Sequence, residues 1–203
     1  AVHEVVLRTE CRRVVDVQLP PRVHAAVRAR AILAAIDGPI GGTALALFLT
    51  YRHEAINVTV ADVAGLNLPF YDNLLPPASE DFSIDNPAAQ AWSELVKAAD
   101  AVVFIMPEYN HAMTGLQKNA IDWLYQEWNA KPAAVVAYGF YGGKHAIDTF
   151  QAINANIKLD LVKPITQLYL GKDLNMDGSP IDEAAVHATV AKTTESLVGK
   201  LSS

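Results

Sequence analysis

The stretch FIMPEYNHAMTGLQKNAIDWLYQEW occupies residues Phe104 to Trp128. An apolar run ends in Pro-Glu-Tyr-Asn-His, and a helical pattern begins a few residues later. The run AVVFIM (101–106) has no polar alternation, which marks a strand buried on both faces. Thr114-Gly115-Leu116-Gln117 reads as a capping box that starts a helix. Leu116, Ala120, Trp123 and Leu124 form one apolar stripe on a helix spanning 116–128. Ile121, Tyr125 and Trp128 form a second, which calls for another covering surface, within the chain or from a second subunit.

Four more strands are expected around this one. AILAAI (31–36), NVTVADV (57–63), AAVVAY (133–138) and PITQLYL (164–170) are apolar or β-branched. Helical patterns separate most of them, and ALALFLTYRHEA (44–55) can be one such helix. One starts at Pro87, with Asp85 or Asn86 as cap. Another carries Ala146, Phe150, Ile153 and Ile157. The last has Pro180, Asp182 and Glu183 at its start. Strand and helix alternate five times, so the expected fold is α/β: a doubly wound, five-stranded parallel sheet with helices on both faces. The long Pro-punctuated loop 66–87 reads as functional or interfacial.

The chain has 203 residues, 51% apolar, enough for one core of this type. Its net charge of −6 argues against non-specific nucleic-acid binding. No apolar run is long enough to span a bilayer, and no leader is expected at the start. The lone Cys11 allows no intrachain disulfide and fits the cytoplasm. Residues 1–30 stand apart, with six Arg and three acids. Residues 1–28 are therefore read as an extension and 29–203 as the domain. RRVVDVQL (12–19) can add a strand to the sheet edge or to a partner.

In open α/β sheets, ligands bind at the carboxyl ends of strands near the switch in strand order. Three loops fall there. DGPIGGT (37–43) offers backbone N–H groups through Gly38, Gly41 and Gly42, with Thr43 as a hydroxyl, suited to a phosphate or to a plain turn. PEYNH (107–111) brings together Pro107, Glu108, Tyr109, Asn110 and His111. GFYGGK (139–144) places Gly139, Gly142 and Gly143 among Tyr138, Phe140 and Tyr141, where glycines expose donors and aromatics cover a flat ring. It is not a Walker loop, since Tyr138 stands where the first Gly is needed and His145 where Ser or Thr is needed. No second acid accompanies Asp37 as a receiver domain requires. The six histidines are dispersed, Cys11 is isolated, and DLNMDG lacks the acid spacing of a calcium loop, so no metal site is expected.

MPEYNHAMTGLQKNAIDWL closely resembles the signature of the NAD(P)H-dependent FMN reductase family, departing at Gln117 and around Ala112–Thr114. VVAYGFYGGKHA is similar to the family's second flavin loop, and VADVAGLNLPFYDN to its second strand and the following loop. The resemblance covers residues 57–185. It implies a flavodoxin-like fold, FMN as cofactor and NADPH or NADH as co-substrate. The expected activity is ping-pong hydride transfer to quinone, azo, metal-oxyanion or flavin acceptors. It places the flavin phosphate at 38–43 and the ring on 107–110, with Tyr138, Gly139, Gly142 and Gly143 opposite. The family's usual Ser and Arg are absent from DGPIGGT; Thr43, Arg22 and Arg52 are the substitutes at hand. The flavin carries the hydride, so no catalytic side chain is required. Glu108 is expected to anchor its loop rather than act as a base. His111 either touches the acceptor or nicotinamide or is a solvated loop residue. The resemblance also implies a homodimer or homotetramer through helix 116–128. An electron carrier, and a non-enzymatic protein with a degenerate phosphate loop, are the alternatives.

Overall fold

The computed structural model describes Val15–Asp16, Ala29–Ala35 and residues 56–203. The first loop, 37–43, and the helix expected over 44–55 lie outside the described residues, as do Arg22 and Arg52.

Among the described residues, seven strands form one sheet. They are β1 (Val15–Asp16), β2 (Ala29–Ala35), β3 (Ile56–Asp62), β4 (Ala101–Pro107), β5 (Pro132–Gly139), β6 (Asp160–Leu161) and β7 (Thr166–Tyr169). The order is β1-β3-β2-β4-β5-β6, with β7 also on β5. Strands β2, β3, β4, β5 and β7 are the five expected parallel strands. Two short additions extend them. β6 pairs with Pro132 and Ala133 at the start of β5, while β7 takes Val136–Gly139 further along the same edge. β1 lies antiparallel on β3, pairing Val15 with Val60 and Asp16 with Thr59. It falls within RRVVDVQL.

The pleat of β4 and β5 explains their sequence. Val102, Phe104 and Met106 face one side with Ala133, Val135 and Ala137. Ala101, Val103 and Ile105 face the other with Ala134, Val136 and Tyr138. Every residue of β4 is buried. Two helical layers produce this. On the first side lie α1 (Pro87–Ala98), α2 (Gly115–Asp122) and α3 (Lys144–Ile157); on the second lies α4 (Glu183–Leu201), through Val186, Val190 and Leu197.

Caps set the helix starts. Asn86, not Asp85, caps α1; its Oδ1 accepts from Ala88 N at 2.9 Å and Ala89 N at 3.1 Å. Asp182 caps α4 through Ala185 N. Thr114 Oγ1 accepts from Gln117 N at 3.3 Å. Gln117 also sends its amide into the sheet, donating to Ile105 O at 2.6 Å.

The helix expected over 116–128 ends at Asp122, with Trp123 as its C-cap and turns following. Ile121 and Trp128 are buried within this chain, so the second stripe needs no second subunit to cover it. The tryptophans explain the early stop. Trp128 Nε1 donates to Ile121 O at 3.1 Å, and Trp92 Nε1 to Ala120 O at 2.9 Å. Ala120 O, near the helix end, thus finds an indole partner, and Ile121 O takes one beside the Leu124 N–H.

The same segment pins the long loop. Asn119 Oδ1 accepts from Tyr71 N at 2.9 Å, and its Nδ2 donates to Pro69 O at 2.9 Å. Trp123 Nε1 donates to the same carbonyl at 2.8 Å, and Tyr71 packs edge-on against the Trp123 ring. We expect Asn119→Ala to lower stability by about 1–3 kcal/mol, because it strands partly buried groups. The melting temperature should fall by several degrees, and the Tyr71 amide should exchange faster than wild type.

Candidate functional site

The sheet order places the site. β3 lies on one side of β2 and β4 on the other, so the switch point is between β2 and β4. The loop after β2 lies outside the described residues. The loops after β4 and β5 are described, and they meet.

The first is a tight turn. Tyr109 N donates to Ala112 O, and Ala112 N to Tyr109 O, both at 3.0 Å. The two residues between, Asn110 and His111, have φ of 49° and 61°. Two successive left-handed residues define the type I′ turn, and Asn and His adopt that conformation more readily than most residues. Asn110 and His111 are thus explained first by backbone geometry. Tyr109, Asn110 and His111 are exposed; Pro107 is buried at the end of β4.

Glu108 is turned the other way. Its side chain is 5% exposed. Oε2 accepts from the His145 backbone N–H at 3.0 Å, and Oε1 lies 2.9 Å from His145 Nδ1. Helix α3 begins with Gly143 as N-cap, which offers no side-chain bond. A carboxylate from the neighbouring loop supplies the missing acceptor, and negative charge is favoured at that end of a helix. Met113 N adds a second tie, donating to Thr149 Oγ1 at 3.3 Å. The loop after β4 is therefore fastened to the start of α3.

The loop after β5 owes its glycines to space. At Gly142 (φ 63°) a Cβ would fall 2.6 Å from the Tyr169 ring. At Gly143 (φ 71°) it would fall 2.5 Å from Ala137 Cβ and 2.8 Å from Tyr138 N. Gly139 is buried, and its added Cβ would meet Glu108 Cβ at 3.1 Å. Tyr138 is also buried; its ring belongs to the core under α4, and burial pushes its phenol pKa up. Phe140 and Tyr141 are exposed, 65% and 57%.

Of the residues singled out from sequence, Pro107, Glu108, Tyr109, Asn110, His111, Tyr138, Gly139, Gly142 and Gly143 converge at the carboxyl ends of β4 and β5. Gly38, Gly41, Gly42 and Thr43 lie outside the described residues. His145 joins the site without having been expected there. Its ring stacks on that of His111, centroids 4.2 Å apart and 21° between planes, and Tyr141 meets both edge-on. The available signal was Gly142-Gly143 before a helix: a start with no capping side chain of its own has to borrow one. Spacing along the chain disperses the histidines, but the fold brings donor atoms of Glu108, His111 and His145 within 4.8 Å of one another.

The glycine-rich backbone and the rigid turn lie together at the carboxyl ends of β4 and β5, beside the exposed rings of Tyr109, Phe140 and Tyr141. We expect Gly143→Ala to be among the most damaging single changes here. Both its φ and the backbone contact forbid a side chain, so a loss of about 2 kcal/mol or more should appear in denaturant melts.

Comparison with known proteins adds the following. The family model described as NADPH-dependent FMN reductase matches residues 35–166, more than half the chain. An NAD(P)H-dependent FMN reductase of Saccharomyces cerevisiae is 36% identical over 115 residues, 54% of this chain and 59% of that protein. An NADPH azoreductase of Bacillus sp. is 37% identical over 97 residues, 47% of this chain and 51% of its own length. The chain thus spans about half the length of the curated relatives it matches. The flavoenzyme NAD(P)H:(acceptor) oxidoreductase FerB of Paracoccus denitrificans superposes with a TM-score of 0.64 at 21% identity, covering 85% of this chain and 98% of that one. A flavodoxin from the domain Archaea superposes at 0.50 with 11% identity, covering 83% and 99%. The fold is flavodoxin-like.

Proposed function

Since the chain belongs to the NADPH-dependent FMN reductase family, we propose that it is an FMN-containing oxidoreductase passing reducing equivalents from NADPH or NADH to a small-molecule acceptor. One observation carries this reading. The turn 109–112 and the glycine loop 139–143 are fixed against each other, at the sheet edge where this fold binds its ligand, by the Glu108–His145 contact. Bound FMN would supply the two-electron redox chemistry. The chain's part is to hold it. Residues 107–110 would support one side of the ring, with the backbone at 138, 139, 142 and 143 on the other. Gly38, Gly41, Gly42 and Thr43 would take the phosphate. Backbone N–H groups near the ring would stabilise negative charge on its reduced form.

Glu108 has both oxygens engaged by His145, so it acts as an anchor and not as a base. Nicotinamide and acceptor use one exposed face in turn, which makes the kinetics ping-pong. Quinone, azo, metal-oxyanion and free flavin acceptors all suit such a face. A quinone acceptor has support from the 2-hydroxy-1,4-benzoquinone reductase of Burkholderia sp., 37% identical over 68 residues, 30% of this chain and 37% of that one. The lone Cys11 and the family's soluble cofactors suit the cytoplasm. Among the described residues, no helix is long and apolar enough to cross a membrane. We take residues 1–28 as an extension of a domain spanning 29–203; the pairing of β1 on the outer edge of β3 agrees with this.

The purified protein should carry, or take up, FMN and show flavin absorption bands. Anaerobic NADPH or NADH should bleach them, and a quinone should restore them. A protein that ignores added FMN would sink this reading. One that binds FMN but resists both nicotinamides would be an electron carrier, a role that flavodoxin-like folds also serve. Glu108→Gln should keep flavin and reduction within a few-fold; flavin kept with reduction lost would make Glu108 a base.

The homodimer belongs to the same proposal, on residues other than the second stripe of helix 116–128. Phe70 and Leu74 on the loop pinned to α2 are 79% and 95% exposed, and Leu116 of α2 is 42% exposed. Such groups are the ones a second copy would cover. Sedimentation at micromolar concentration should give a dimer or tetramer, and Leu74→Lys should shift it toward monomer. Wild type sedimenting only as monomer would remove this part.

A further inference from the structure

We propose that Glu108, His111 and His145 form a binding site for a transition-metal ion of the zinc, nickel and copper class. One oxygen and two ring nitrogens lie within 4.8 Å of one another. Ligands about 2.0–2.2 Å from a tetrahedral zinc ion stand roughly 3.3–3.6 Å apart. Glu108 Oε1 and His145 Nδ1, at 2.9 Å, are already close to that spacing. The third ligand closes in by rotation of the exposed His111 ring, which gives up its stacking on His145 and its edge contact with Tyr141.

Two of the three ligands are held before any ion arrives. The Glu108 side chain is buried and fixed through Oε2 to the His145 N–H, leaving Oε1 for the ion. His145 sits in the first turn of α3, so its Cα cannot drift. Preorganised ligands on rigid elements are what a small site needs, since ordering them then costs little. Binding displaces the proton between Oε1 and Nδ1; the neutral ring then carries its proton on Nε2, by exchange with solvent, while the ion takes the lone pairs of Oε1 and Nδ1. Two imidazoles and one carboxylate suit zinc, nickel and copper and disfavour magnesium and calcium. The remaining coordination positions would be left to water.

The ion would join the turn 109–112 to α3 across the mouth of the candidate ring shelf. Binding itself needs no flavin and goes beyond the reductase reading. The consequence for turnover rests on that reading: an ion here crowds the face that nicotinamide and acceptor use, and slows the reaction.

Isothermal titration of the purified protein with zinc chloride in chelator-free, non-coordinating buffer tests the site. Wild type should bind one zinc per chain. Magnesium chloride should give no binding heat. His111→Gly and His145→Gln should each weaken zinc at least about tenfold, and His187→Ala should match wild type. His111→Gly is the decisive variant, because glycine accepts φ of 61° freely and the residue is exposed. If His145→Gln unfolds, His111→Gly decides alone. No zinc bound by wild type, or His111→Gly binding as wild type does, overturns the proposal. The second result would assign the metal to other histidines. In the reductase assay, zinc should lower the wild-type rate, and the ratio of rates with and without zinc should return toward one in His111→Gly. The titration reads the site with no flavin present, so the metal site stands or falls on zinc binding even if no reductase activity is found.

Discussion

Seven consecutive buried residues leave β4 no surface of its own. Covered by α1, α2 and α3 on one side and by α4 on the other, the strand reaches solvent only at its ends. Whatever the chain does chemically near β4 has to be done where Pro107 gives way to Glu108. The same constraint fixes β5, which runs parallel to β4 and also ends in a loop at that edge. The two loops can differ widely in sequence, but the sheet register sets how far apart they start.

That register leaves one problem, and Glu108 solves it. A glycine pair is the only way to turn from β5 into α3, because Ala137, Tyr138 and Tyr169 occupy the space a side chain would need. The cost is a helix start without a capping group. Glu108 fills that gap from the adjacent strand end, so one carboxylate fastens the turn, caps the helix and neutralises its positive end. A residue that looks in isolation like an acid or base for catalysis is in this setting a structural tie with a functional address. The two histidines beside it give the same spot the donor chemistry of a metal ligand set.

Much of this was legible in the sequence, for reasons that can be named. A strand buried on both faces has to be apolar throughout, and AVVFIM and AAVVAY are. Helix caps depend on one or two residues, so the cap at Thr114 and the choice between Asp85 and Asn86 were visible in the sequence; Asp182, expected in the first turn, is instead the cap of α4. The site's loops were found because glycines and large polar groups stand out where a buried strand ends. What escaped depends on contacts distant in sequence. The stop of α2 at Asp122 follows from indoles reaching its last carbonyls from α1 and from a later turn. The Glu108–His145 tie spans 37 positions. The roles of Asn110 and His111 as left-handed residues follow from the turn's closure, which no spacing rule encodes. Asn119 reads as one more polar residue on a helix until Pro69 and Tyr71 are brought to it.

The chain's three tryptophans, Trp92, Trp123 and Trp128, are all buried in the core layer beneath α1, α2 and α3, and none lies in the layer beneath α4. Indole emission is therefore a one-sided reporter. It will register loosening of the pinned loop or of α2 at once, since each indole N–H is spent on a carbonyl there or in the loop. It will be nearly blind to detachment of α4, whose core partners are aliphatic residues and Tyr138. Unfolding followed by fluorescence and by circular dichroism should coincide only if both layers of the sheet come apart together.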